Sequence, residues 1–230
     1  MHNKEVVIIG GGSGISTRLI QEYSKRYAVI VFSRKKRLIE SPNITNITVA
    51  DYDPKFIVRK VKELSNTKHL IILIMNGVSD EAPFFKLADD EIDRVFEINV
   101  KIPLKLTKSF INEFLQSELS FVYFSSTRAE MGDLGITLYA ASKAGLTAAS
   151  KNLAQEYGKF KKYFYVISLG VFEAGLIDKL SEQKIKDITR NSAVRGTVPF
   201  EDLFRTIELT FLNRSASGSV LYCDNGYRQC

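Results

Sequence analysis

Tyr139 and Lys143 stand four residues apart in the stretch Tyr139-Ala140-Ala141-Ser142-Lys143. On a helix that spacing stacks the two side chains on one face. An ammonium beside a phenol favours the phenolate and lowers the tyrosine pKa from its reference of about 10. The phenol then becomes a usable general acid or base near neutral pH. Ser126, thirteen residues before the tyrosine, closes a β-rich run, so its hydroxyl points into the crevice beyond a strand end. A Tyr/Lys pair on a helix is common by chance. The same pair downstream of a strand-terminal serine and a glycine-rich turn is much rarer.

That turn lies in VVIIGGGSGIST, Val6 to Thr17. Such a run could be a phosphate-binding turn, a strained catalytic elbow or a plain structural turn. The spacing G-x-G-x-x-G fails, because Gly10 and Gly12 are followed by Ile15 at the third position. A P-loop also fails for want of a lysine. What fits is G-x-x-x-G-x-small, with Gly10, Gly14 and Ser16. Sited between a strand and a helix, Gly10, Gly12, Ser13, Gly14 and Ile15 would offer free N–H groups and a helix dipole to a dinucleotide pyrophosphate. Glycine permits the sharp turn and the close approach.

The end of the second strand selects the cofactor. An NAD-binding chain usually carries Asp or Glu there to hold the ribose 2′-hydroxyl, whereas this chain has Phe32-Ser33-Arg34-Lys35. The Ser33 hydroxyl and the Arg34 guanidinium suit a 2′-phosphate, so NADP(H) is expected over NAD(H). The run Arg34-Lys35-Lys36-Arg37 then reads as a phosphate clamp rather than a nucleic-acid patch. Asp51 could accept from the adenine amino group, or be only a turn residue before Asp53-Pro54.

The elements that must position these groups alternate along the chain. Strand-like runs fall at Glu5–Ile9, Ala28–Ser33, Ile47–Ala50, Leu70–Met75, Leu119–Ser125, Phe164–Ser168 and Ser219–Cys223. Helical spacing falls at Gly14–Arg26, Pro54–Asn66, Asp89–Ser117, Tyr139–Lys159 and Phe200–Asn213. Alternation of this kind predicts βαβ crossovers and a mostly parallel, doubly wound α/β sheet in one Rossmann-type domain over residues 1–230. The strands are rich in Val and Ile, as strands buried on both faces should be. Gly170–Pro199, after the sixth strand, is the least regular part, with a charged helical piece at Ile177–Arg190, and sits where a substrate-side insertion would.

Composition agrees with a globular protein: 230 residues, 45% hydrophobic, 25% charged, net charge +6. With two cysteines and two histidines, no disulfide framework or metal site is suggested. Leu70–Met75 is too short to cross a bilayer. Met1 to Glu5 runs straight into a strand with no secretory pattern, so a cytoplasmic location is expected, with no membrane or nucleic-acid partner.

On these motifs the chain resembles the short-chain dehydrogenase/reductase family, from about Lys4 to Arg228, and is similar to its oxoacyl carrier-protein reductases. The family's Y-x-x-x-K is Tyr139 to Lys143, its catalytic serine falls on Ser126, and its helix asparagine on Asn99 in VFEINVKIPL. The T-G-x-x-x-G-x-G turn is matched at Gly10 and Gly14, and SGSVLYCDNGY looks like the last strand and turn. The resemblance implies NADP(H)-dependent interconversion of a carbonyl and a secondary alcohol. Tyr139 would be the acid/base, Ser126 would hold the carbonyl oxygen, Lys143 the nicotinamide ribose, and Asn99 a water relaying protons to Lys143. It also implies cofactor contacts at Gly77 and Gly170, and a homodimer or homotetramer built on the Asp89–Ser117 and Tyr139–Lys159 helices.

Departures are Ile9 for Thr, Ser16 for the third Gly, Ile74-Met75-Asn76-Gly77 for N-N-A-G, Leu169-Gly170 for P-G, and Ala174 for a threonine beside the nicotinamide. They bear on cofactor affinity and loop order rather than on the chemistry. The family's enoyl reductases space their tyrosine and lysine more widely, which disfavours reduction of a carbon–carbon double bond. Phe84, Phe85, Thr127 to Met131 and the insertion would line the open side of the pocket. Arg128 and Glu130 would lend it polarity unless they face solvent or a subunit contact. The net charge permits an acidic carrier protein without requiring one. A non-catalytic NADP(H)-binding sensor or scaffold is the alternative reading, and a sugar-nucleotide epimerase is a poorer one, for lack of a C-terminal substrate domain.

Overall fold

Each strand of the central sheet sends alternate side chains to opposite faces, and that alternation builds two cores. In β1 (Glu5–Ile9), Val6 and Ile8 face one core while Val7 and Ile9 face the other. The computed structural model describes residues 4–36, 39–79, 82–173, 181–190 and 192–227. After β1 come α1 (Gly14–Ser24), β2 (Ala28–Ser33), β3 (Ile44–Thr48), α2 (Pro54–Leu64) and β4 (His69–Ile74). Then follow α3 (Asp89–Phe96), α4 (Ile102–Glu113), β5 (Glu118–Ser126), α5 (Thr137–Tyr157), β6 (Lys162–Leu169), α6 (Glu182–Thr189), α7 (Phe200–Leu212) and β7 (Val220–Cys223).

The strands form one sheet in the order β3-β2-β1-β4-β5-β6-β7, paired in parallel throughout. Leu19, Ile20 and Tyr23 of α1 pack with Leu203, Ile207 and Phe211 of α7 on one face. Ile57 and Val61 of α2, Leu106 and Phe110 of α4, and Leu146 of α5 cover the other. The doubly wound α/β fold expected from the alternation is the one observed. Strand order reverses between β1 and β4, and the region beyond the carboxyl ends there is the usual ligand position in such sheets.

Two expectations need correction. The third strand is Ile44–Thr48, not Ile47–Ala50. Being an edge strand, it is half exposed and polar at Thr45 and Asn46, so apolar content misplaces it. The helix expected over Asp89–Ser117 is interrupted by a π-helical turn, Glu97–Lys101, between α3 and α4. Pro103 lacks an N–H and cannot donate to carbonyls earlier in the helix, which favours a break just before it.

The insertion after β6 is tied at its neck. The Val198 N–H donates to the Val171 carbonyl (2.8 Å), the Phe200 N–H to Glu173 Oε1 (3.2 Å), and Phe172 bridges to Val198. Of the helix expected at Ile177–Arg190, α6 is the described part. Ala174, Arg37, His2 and Cys230 lie outside the described residues.

Candidate active site

β5 and α5 bring the lysine to the tyrosine. Lys143 is buried, and its Nζ donates to the Phe124 carbonyl of β5 at 2.8 Å. The same nitrogen lies 5.7 Å from the centre of the Tyr139 ring. Burial strips water from the ammonium and pulls its pKa down to about 8. Two residues beyond Phe124, β5 ends at Ser126, whose Oγ accepts the Arg128 N–H at 3.3 Å and starts a short 3₁₀ turn over Thr127–Ala129. A buried hydroxyl therefore stands at the carboxyl end of the strand that anchors the lysine.

Asn99 sits fully buried in the π-helical turn. Its Oδ1 accepts the Val78 N–H (2.8 Å), and its Nδ2 donates to the Val78 carbonyl (2.9 Å) and to Ser142 Oγ (3.0 Å). Ser142 Oγ in turn donates to the Tyr139 carbonyl at 2.7 Å. The side chain thus clamps the loop after β4 to the tyrosine-bearing turn of α5. Pro103 has no N–H for the carbonyl four residues earlier, which is Asn99's own. Next to Val78, a Cβ on Gly77 would stand 3.4 Å from Lys143 Nζ and 3.5 Å from Asn99 Oδ1, so this loop crosses directly over both. Sequence reading missed Ser142, because a serine on an alanine-rich helix gives no signal until the fold sets it opposite Asn99.

The glycine turn is shaped for close approach. Gly10 has φ +93°, and a Cβ there would lie 2.4 Å from the Asn76 nitrogen. Among the described residues, no atom of another part of the chain stands within 4 Å of where a Cβ on Gly12 would be. Ser13 caps α1: its Oγ accepts the Ser16 N–H (3.1 Å), while Ser16 Oγ accepts the Ser13 N–H (3.0 Å). Ser16, in the place of the third glycine, is fully buried against the sheet. Gly14 and Ile15 open the helix, where N–H groups have no intrahelical acceptor, and no acidic side chain stands in that first turn. Space over Gly12 among the described residues and a first turn of α1 without acidic side chains fit a bound pyrophosphate.

At the end of β2, the Ser33 hydroxyl is buried and donates to the Lys35 carbonyl, which uses it inside its own turn. Arg34 is exposed; burial raises the pKa of the nearby Tyr52 phenol, and the Arg34 charge pulls it the other way. Asp51 is exposed and its Oδ1 accepts the Asp53 N–H at 3.3 Å. Gly170 donates its N–H to the Cys223 carbonyl (3.0 Å), and a Cβ there would come 2.7 Å from Asp224 Cα. Its lack of a side chain is what lets β6 and the turn after β7 meet.

On the open side, Phe84 and Phe85 are 56% and 83% exposed. Arg128 forms an ion pair with Asp133 at 2.7 Å, and Glu130 accepts from the Tyr222 hydroxyl at 2.8 Å. Arg18, one turn beyond the glycine run, pairs with Glu173 at the neck of the insertion and stacks 4.1 Å over Phe200. That link was also missed, because its partners are far apart in sequence.

Residues 4–185 match the family model of the short chain dehydrogenases. The chain belongs to that family. Among curated relatives, it is 25% identical over 237 residues to the 3-oxoacyl-[acyl-carrier-protein] reductase FabG of Rickettsia prowazekii (strain Madrid E), covering 97% of this chain and 96% of that one. In three dimensions this family member is similar to a 4-hydroxyisoleucine dehydrogenase complexed with NADH, with TM-score 0.87, 20% identity, and coverage of 97% and 98%. It is also similar to ElxO with NADP bound, with TM-score 0.86, 20% identity and the same coverage. No described helix is long and apolar enough to cross a membrane.

Proposed function

We propose that this short-chain dehydrogenase family member is an NADP(H)-dependent oxidoreductase that interconverts a carbonyl and a secondary alcohol. The observation that carries the reading is the buried Lys143 ammonium, held by the Phe124 carbonyl 5.7 Å from the centre of the Tyr139 ring. Solved neighbours of the same fold carry NADH in one case and NADP in another, which supports a nicotinamide cofactor. Arg34, with no carboxylate at the end of β2, supports the phosphorylated form. The cofactor would supply the hydride to the carbonyl carbon, or take it in the reverse direction.

The chain's own residues do the rest. Gly10, Gly12, Ser13, Gly14 and Ile15 hold the pyrophosphate, Arg34 the 2′-phosphate, with Ser33 shaping its turn and Asp51 near the adenine. Gly77 and Gly170 keep the backbone close on the nicotinamide side. Tyr139 gives its phenolic proton to the carbonyl oxygen, and Ser126 donates a hydrogen bond to the same oxygen. Lys143 binds the ribose and stabilises the phenolate that Tyr139 leaves behind. Asn99 positions that turn through Ser142, and would hold a water that links Lys143 to solvent as a proton relay. A homodimer or homotetramer through α4 and α5 belongs to this reading. Leu115 and Phe160, exposed just past those helices, are apolar surface that such pairing would cover.

The test is NADPH oxidation by the purified protein against oxoacyl thioesters, keto-sugars, diketones and quinones. Turnover of at least one carbonyl class supports the reading, and tight NADPH binding with no turnover across the panel favours a sensor.

A further inference from the structure

Arg18 lies one helical turn past Gly14 on α1, so the two residues share a face of the helix that opens from the glycine turn. Its half-buried guanidinium grips the neck of the insertion. Nη1 donates to Glu173 Oε1, Nη2 stands 3.7 Å from Glu201 Oε1, and the guanidinium carbon lies 4.1 Å from the centre of the buried Phe200 ring. Glu173 belongs to the outgoing limb of the insertion, Phe200 and Glu201 to the returning one. The limbs also bind each other. The Glu173 N–H donates to the Val198 carbonyl at 3.3 Å, the Val198 N–H to the Val171 carbonyl, and the Phe200 N–H to the same Glu173 Oε1. One carboxylate oxygen therefore takes a donor from α1 and a donor from the start of α7, which fixes its orientation.

For stability alone a half-exposed pair of this kind counts for little. Its value is positional. The Gly170 N–H, a few residues before Glu173, is held by the Cys223 carbonyl. The segment from Gly170 to Glu173 is thus pinned to the sheet at one end and to α1 at the other. The function proposed above gives the start of α1 the pyrophosphate and the Gly170 backbone the nicotinamide side, so Arg18 and Glu173 join the two grips on one cofactor. A guanidinium stacked on a ring suits that task, because its forked donors and flat face fix direction as well as contact. We propose that Arg18 and Glu173 are positioning residues that hold the segment after β6 against the cofactor-binding helix and so place the nicotinamide half for hydride transfer. The inference rests on that function.

The test uses the full chain as wild type, Arg18→Met, Glu173→Gln, the double variant and Arg18→Lys. Methionine keeps an apolar stem over Phe200, and glutamine keeps an acceptor for the Phe200 N–H, so thermal melts should stay close to wild type. Calorimetric binding of 2′,5′-ADP, which has no nicotinamide, should hold within about twofold in every variant, while NADPH weakens about fivefold in Arg18→Met and Glu173→Gln. Single-turnover hydride transfer to the best carbonyl substrate should slow about tenfold in the same two, because misplacement is felt in the chemical step. The double variant should be no slower than the slower single, since the two residues act as a unit. Arg18→Lys, which restores the charge, should recover transfer to within about threefold of wild type. Equal loss of 2′,5′-ADP and NADPH affinity would reduce the pair to support of α1 and overturn the inference. Additive losses, or unchanged NADPH binding and transfer, would overturn it too. A wild type that turns over no carbonyl overturns the oxidoreductase reading and this inference with it, whereas variants that match an active wild type remove this inference alone.

Discussion

Asn99 Nδ2 lies 3.0 Å from Ser142 Oγ, across the junction between the π-helical turn and α5. Because Ser142 passes the link on to the Tyr139 carbonyl, the loop after β4, the helix break and the tyrosine-bearing turn of α5 form one hydrogen-bonded unit. Ser142→Ala would leave a buried Asn99 N–H without its acceptor, a cost of about 1–3 kcal/mol in stability. The slackened turn should lower kcat about tenfold, with the KM for NADPH nearly unchanged, since misplacement at the reacting centre is felt mainly in the chemical step. Denaturant melts beside steady-state kinetics check both numbers.

Lys143 ties stability and rate to pH. Its pKa falls from an unfolded value of about 10.4 to about 8 in the fold. Between those values the unfolded chain binds more protons, so stability from this site rises with pH through that window and is lowest below it. Lys143→Met should therefore raise stability at pH 7 by about 1–3 kcal/mol while abolishing turnover, and the gain should fade as pH approaches about 10. In the wild type, carbonyl reduction should decline above pH 8 as the ammonium is lost and the phenol becomes a weaker acid. A kcat/KM profile rising through pH 8–10 would contradict this.

The glycines of the turn should separate by role. Gly10→Ala puts a Cβ 2.4 Å from the Asn76 nitrogen at φ +93°, and should cost more than about 3 kcal/mol or prevent folding. Gly12→Ala meets no neighbour among the described residues, so its melting temperature should hold while NADPH binding weakens at least tenfold. Thermal melts with and without NADPH distinguish the two.

Much of this was legible before the fold was seen. The Val/Ile runs of β1, β2 and β4 and the glycine turn between β1 and α1 declare a doubly wound sheet. Tyr139, Lys143 and Ser126 declare themselves by type and spacing. What stayed hidden depends on long-range contact. Periodicity cannot show that α3 and α4 are separate, since a π-helical turn keeps the apolar face and changes only which carbonyls find donors. Ser142 and the Arg18–Glu173 pair acquire meaning only when elements distant in the chain meet. Lys162 is another case: it is buried, and its ammonium caps the end of α4 by donating to the Phe114, Leu115 and Ser117 carbonyls, where sequence alone suggests a solvated charge. Ser33 points the other way, since its type suited a phosphate and the fold spends its hydroxyl on the Lys35 carbonyl.

The most direct test compares wild type with Tyr139→Phe on the best carbonyl substrate, measuring NADPH affinity and single-turnover hydride transfer on the same samples. With Tyr139 as the proton donor, the variant should bind NADPH within about threefold of wild type and transfer hydride at least about a thousandfold more slowly, as removal of a general acid requires. Near-normal hydride transfer in Tyr139→Phe, with NADPH bound, would contradict the assignment.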